Sequence, residues 1–106
     1  MKIKVGDSVR VNEGVSDPDF PQFSIAGWQG RVTELIDGDD IEEPMISIEW
    51  DSITLNSYTE DYLAMCDEEG LDLLCMNLPE TELQVVQPRD TLKDVQAAIE
   101  RLEDLY

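Results

Sequence analysis

Two prolines decide the layout of the first third of this chain. The segment Asp17-Pro18-Asp19-Phe20-Pro21-Gln22-Phe23 sets Pro18 and Pro21 so close together that no central strand can pass through it, because each proline lacks a ladder donor. Residues 12–26 are therefore expected to form a long loop carrying two aromatics, and long loops in small domains are either functional or mobile. Before the loop, Ile3, Val5, Val9 and Val11 alternate with polar residues around a Gly6-Asp7 turn signal, the pattern of a first strand. After it, a second strand is expected over 27–36. Its alternation slips, since Val32 and Leu35 cannot both face inward on a regular strand, and a bulge near Thr33-Glu34 resolves the conflict. Asp37-Gly38-Asp39-Asp40 reads as a turn. The third strand, 45–51, alternates most cleanly, with Ile46, Ile48 and Trp50 on one face and Ser47, Glu49 and Asp51 on the other.

Past a short apolar piece, Ile53-Thr54-Leu55, the signals turn helical. Thr59 can cap, Glu60 and Asp61 suit a positive first turn, and Gly70 can end the helix left-handed, with Leu71 folding back on the last turn. Its apolar side would carry Tyr58, Tyr62, Met65 and Cys66. A last strand is expected over 82–86, after a turn at Leu78-Pro79-Glu80. Pro88-Arg89-Asp90 then breaks the chain before a C-terminal helix, where Thr91 and Asp94 form a variant capping box. Leu92, Val95, Ile99, Leu102 and Tyr106 recur there at spacings of three and four, so that helix is amphipathic. Its stripe is expected to pack on the chain's own sheet, with a homodimer through the same helix as the alternative. The 106 residues fit a single domain, 1–106, divided into a β-rich body over 1–87 and a helical tail over 88–106.

Charge narrows the possible functions. With 25 acidic and 7 basic residues the formal charge is −18, and no basic residue occurs between Arg31 and Arg89. Such a field repels phosphate backbones and anionic lipid, which argues against nucleic acid and membranes as partners and favours a basic protein. The chain has no His, which removes His bases, Ser-His-Asp and Cys-His nucleophile systems and His-containing metal sites. Cys66 and Cys75 have neither redox-pair nor zinc spacing, and two cysteines are too few to staple a secreted domain. They read as reduced thiols in a cytoplasmic protein. Cys66 stands beside Asp67, Glu68 and Glu69, which would raise its pKa. No signal-peptide core or apolar run of transmembrane length is visible. No catalytic residue is assigned, and an enzyme is not expected.

Lys4-Val5-Gly6-Asp7-Ser8-Val9-Arg10-Val11, then Gly27-Trp28-Gln29-Gly30-Arg31-Val32 and a strand ending Glu49-Trp50-Asp51, resemble SH3-like barrels of the KOW and Tudor-like type. The resemblance covers about 1–87. It implies a mainly β fold: a partly open five-stranded barrel with an inserted helix at about 58–70, followed by the amphipathic helix at about 91–105. Asp17-Pro18-Asp19-Phe20, Gly27-Trp28-Gln29-Gly30, Trp50-Asp51, Thr54-Leu55 and the run from Cys66 to Leu71 are also similar to a set of small bacterial proteins, some carrying a calcium-binding label. The basic loops with which KOW domains hold RNA are missing from the middle of this chain.

SH3-like barrels commonly bind ligands between the first long loop and neighbouring strands. Here that implies a protein-interaction surface lined by Phe20, Phe23, Trp28, Tyr58 and Tyr62, taking a basic or proline-containing partner against an acidic background. The alternative is calcium on the 37–43 carboxylates, Asp37, Asp39, Asp40, Glu42 and Glu43, with Asp17 and Asp19 joining if the loop folds over. That run is not an EF-hand loop, since Ile41 and Glu42 stand where an oxygen ligand and a glycine are required. A third possibility is an acidic mimic of nucleic acid. No cofactor is otherwise expected.

Self-repulsion among so many carboxylates destabilises the compact state, and salt screens it. The melting temperature is expected to rise between low and physiological concentrations of a monovalent salt in differential scanning calorimetry. A flat or falling response would mean that the charges are already paired or harmlessly spread.

Overall fold

The computed structural model describes residues 3–37 and 43–105. It contains five strands, β1 (Ser8–Val11), β2 (Gln29–Ile36), β3 (Met45–Trp50), β4 (Cys75–Pro79) and β5 (Leu83–Val86), and three helices, α1 (Ser52–Leu55), α2 (Glu60–Glu69) and α3 (Leu92–Leu105). The strands form one antiparallel sheet in the order β4-β3-β2-β1-β5, and the two outer strands do not pair, so the sheet stays open. Helices and strands contribute comparable numbers of residues, so the content is mixed where a mainly β chain was expected. No helix among the described residues is long and apolar enough to cross a membrane.

The expected bulge is present: the β2–β3 register shifts between Val32 and Glu34. It lets Val32 bury fully while Leu35 packs against the core from the side. Ile46, Ile48 and Trp50 are buried as the alternation of β3 requires. Gly30 has a steric role there, because a Cβ would run into the Glu49 carbonyl of the paired strand. At the N-terminus the regular strand begins only at Ser8. Lys4 and Asp7 close a turn through Lys4 C=O and the Asp7 carboxylate, which leaves Val5 exposed and Ile3 in the core.

Three local readings are corrected. The apolar piece Ile53-Thr54-Leu55 is helical, because Asp51 accepts from Thr54 N–H at 2.8 Å and caps α1. Asp51 is therefore buried rather than on an outer strand face. Leu78 and Pro79 belong to β4 and not to a turn; a short 3-10 turn at Glu80–Glu82 then carries the chain from β4 at one edge of the sheet to β5 at the other. The other capping signals hold. Thr59 accepts from Tyr62 N–H, Gly70 ends α2 at φ 69°, and Leu71 N–H donates back to Cys66 C=O. At α3, Thr91 and Asp94 exchange both capping bonds, at 2.9 and 3.2 Å.

The amphipathic stripe of α3 packs on the chain's own core through Val95, Ala98, Ile99 and Leu102. Leu92, expected in that stripe, is 71% exposed, and Tyr106 lies outside the described residues. What seats α3 is polar. Arg89 bonds Asp51 through Nε at 2.7 Å and reaches Thr54 Oγ1 at 3.0 Å. Asp90 accepts from Arg31 at 2.8 Å and from Ser52 N–H at 2.7 Å. Arg31 and Arg89, the two ends of the base-free stretch, thus stand in neighbouring ion pairs, and their partner carboxylates are almost wholly buried.

Burial pushes the Asp90 carboxyl up, but the hydrogen bonds from Ser52 and the Arg31 pairing outweigh it and hold it below its ordinary value of 3.8. Its contribution to stability is therefore complete above that value and fades as pH falls through the lower folded one. Asp90→Asn is expected to lose about 2 kcal/mol in urea unfolding at neutral pH. The gap to wild type should narrow in acid below pH 3.8. A gap independent of pH would show that the carboxylate charge contributes nothing.

Candidate functional site

Residues 12–26 fold as a loop pinned from within. Ser16 and Ser24 form an isolated bridge, Ile25 N–H donates to Val15 C=O, and Asp17 N–H donates to Phe23 C=O at 2.8 Å. The Asp17 side chain is 3% exposed and fully engaged. Its Oδ1 accepts from the N–H groups of Asp19 and Phe20 at 2.9 and 3.2 Å, an Asx turn across Pro18. Its Oδ2 accepts from the Tyr62 hydroxyl at 3.0 Å, which ties the loop to α2.

Around that bond lies a cluster of rings. Trp28 meets Trp50, Tyr58 and Tyr62, each at 5.3 Å between ring centres. Tyr58 and Tyr62 lie 5.2 Å apart, and Phe23 stands edge-on to Tyr62 at 5.2 Å. Such pairs add stabilisation of about 0.5–1.5 kcal/mol each beyond area burial. Trp50 anchors the set in the core, while Trp28 and Tyr58 are half-buried and Tyr62 is buried. The Tyr58 hydroxyl donates to Leu73 C=O, joining the start of α2 to the segment that leads into β4. Burial, with Cys66 and Asp72 behind it for Tyr58 and Asp17 for Tyr62, pushes both phenols far up, so they act as neutral donors.

Of the five residues expected to line a surface, Phe23, Trp28, Tyr58 and Tyr62 come together. Their outer edges border a shallow depression of about 130 Å³. Phe20 stands apart, half-buried on the loop, with no ring neighbour among the described residues.

A larger groove, about 400 Å³, lies on the other side of Tyr62. Asp17, Pro18 and Asp19 form one wall and Cys75, Met76 and Asn77 the other, with Leu71 and Asp72 alongside. Asp19 and Asp72 are exposed. Sequence reasoning missed this groove because β4 was not recognised. Asp17, expected to join a calcium cluster if the loop folded over, instead holds an Asx turn, which the Asp-Pro-Asp string signals.

Cys66 and Cys75 are free thiols. Burial pushes Cys66 up, with the Asp17 charge behind it, where the neighbours Asp67, Glu68 and Glu69 were expected to do so. Burial followed by the Asp72 hydrogen bond and charge raises Cys75 to about 11. Both are protonated at neutral pH and poor nucleophiles. Among the described residues, no group of three or more Cys, Asp or Glu could hold a metal ion. Of the 37–43 carboxylates, Glu43 accepts from Thr81 Oγ1 at 2.5 Å. Asp39, Asp40 and Glu42 lie outside the described residues. Asp17 is committed to Tyr62 and two amides, and so is not available to join that cluster.

Compared with known proteins, the chain matches no family model, no curated protein and no solved structure.

The ring contacts separate the two phenylalanines. Phe23→Ala is expected to cost about 2–3 kcal/mol in chemical denaturation, since it empties a packed site against Tyr62. Phe20→Ala is expected to stay within about 1 kcal/mol of wild type. Equal losses would show that the loop is held along its whole length and not at Phe23.

Proposed function

We propose that this chain is a non-enzymatic protein-interaction module, an SH3-like barrel of the KOW and Tudor-like type, that holds a basic or proline-containing segment of a protein partner in the cytoplasm. Five antiparallel strands in one open sheet support the barrel reading, and two free cysteines support the compartment. The observation that carries the function is the groove of about 400 Å³ beside Tyr62, bordered by Asp19 and Asp72. Its lining offers Tyr62, Leu71 and Met76 to apolar side chains, and its carboxylates select positive ones. Asp19 is the freest of these acids. Its backbone N–H is fixed by Asp17, and its side chain has no partner among the described residues. Phe20 follows Asp19 in the chain and is exposed in part, and aromatic anchors carry a large share of interface energy.

An array of random short peptides spanning negative to positive net charge tests this reading. Retention is expected for basic peptides alone, weakened by salt, and reduced about tenfold or more by Asp19→Lys combined with Asp72→Asn. The asparagine keeps the acceptor that Leu74 N–H uses. Retention indifferent to peptide charge, or unchanged in the double variant, would overturn the proposal.

A further inference from the structure

Among the described residues β4 is an edge strand whose one neighbour is β3. The register fixes which of its backbone groups are free. Trp50 N–H donates to Leu74 C=O at 2.9 Å, and Glu80 N–H donates to Pro44 C=O at 3.2 Å. Between these bonds Ile48 stands opposite Met76 and Ile46 opposite Leu78, with no bulge. The positions bonded to β3 are therefore Leu74, Met76, Leu78 and Glu80. Cys75 and Asn77 alternate with them, so their N–H and C=O groups point away from the sheet. Among the described residues these four groups have no backbone partner. The same stretch, Cys75 to Asn77, is the wall of the groove that faces Asp17, Pro18 and Asp19.

Proteins usually blunt such an edge with lysine, proline, a bulge or a covering segment. Between Cys75 and Asn77 none of the first three is present, and Pro79 comes only at the end of the strand. What lies alongside is a groove with exposed carboxylates.

We infer that the groove's occupant binds by strand addition: an extended, lysine- or arginine-bearing segment of a partner protein pairs its backbone with Cys75 and Asn77 as a sixth strand. The inference rests on reading the groove as a site for a basic segment and adds the way the segment is held. Main-chain bonds from the edge supply register, and the alternation of the added strand supplies selectivity. One set of side chains meets Tyr62 and Met76, and positive groups reach Asp19 and Asp72. Charge decides between occupants. A second copy of this chain would bring another −18 to the same edge, so pairing of two β4 edges is repelled while a basic segment is drawn in.

The probe is an end-blocked synthetic peptide of alternating lysine and valine, added to isotope-labelled protein at low salt while amide hydrogen exchange is followed by NMR. Exchange at Cys75 and Asn77 is expected to slow about tenfold or more on binding. Of two peptides N-methylated at alternate residues in opposite phases, one should bind about tenfold more weakly and the other about as well as the parent, because only one set of donors faces the edge. Asn77→Pro should keep the fold, since that N–H makes no bond to β3, and lose the same factor in affinity. Tight binding with unchanged exchange at both amides, and no penalty for N-methylation, would overturn strand addition while leaving the basic-segment reading intact. No binding of any form of the peptide would overturn both. Slowed exchange at Cys75 and Asn77 in concentrated protein without peptide would assign the edge to a second copy and overturn the inference.

Discussion

The hydrogen bond from the Tyr62 hydroxyl to the Asp17 carboxylate is the contact on which the geometry of the groove depends. The loop's own backbone bonds, from Ile25 to Val15 and from Asp17 to Phe23, join it only to itself and do not tie it to α2. Asp17 supplies the missing constraint from both of its oxygens, one holding the turn at Asp19 and Phe20 and the other holding α2. A buried carboxylate is costly unless its acceptors are filled, and three donors fill this one. The rings of Phe23, Trp28 and Tyr58 then pack around Tyr62 and shield the bond from water. The Asp17-to-Asp19 wall of the groove is thereby fixed against α2.

A second polar knot does the same for the C-terminal helix. In a chain of charge −18, two of the seven cations, Arg31 and Arg89, stand where they neutralise buried carboxylates. Arg89 reaches back to Asp51, the cap of α1, while the next residue, Asp90, reaches Arg31 on β2 and the amide of Ser52. Adjacent residues of opposite sign thus engage two different elements, and a shift of the linker by one residue would place like charges together. That is a means of fixing register that apolar packing alone does not provide. Gln29 completes the knot by donating to Ser8 and to the carbonyl of Gln87.

Local features of the fold were legible in the sequence where one physical rule dominates. The bulge in β2 follows from Val32 and Leu35 competing for one face, and both ends of α2 follow from Thr59 and Gly70. β4 was not legible, because Cys75-Met76-Asn77-Leu78-Pro79 has no strong alternation and ends in a residue that ordinarily signals a turn. Its place is set by pairing with Ile46 and Ile48, which is tertiary information. Asp51 was misplaced for the same reason, since a strand pattern cannot show that the next residues turn helical and need a cap. The aromatic residues of the site were visible as a set, but which of them are buried depends on α2 folding over the loop. The groove itself lies between two segments 52 or more residues apart in the chain, Asp17 to Asp19 on one side and Leu71 to Asn77 on the other, by subtraction roughly half its length.

The loop and α2 are locked together through Asp17 and Tyr62. A double-mutant cycle with Asp17→Ala and Tyr62→Phe, read by urea unfolding, isolates that pair because the loss of the Asx turn cancels between its arms. Each single change strands a buried polar group that the double change removes, so the losses should fall short of additive by about 1.5 kcal/mol or more. Losses that add to within about 0.5 kcal/mol would contradict the account and leave the loop held by its aromatic packing alone.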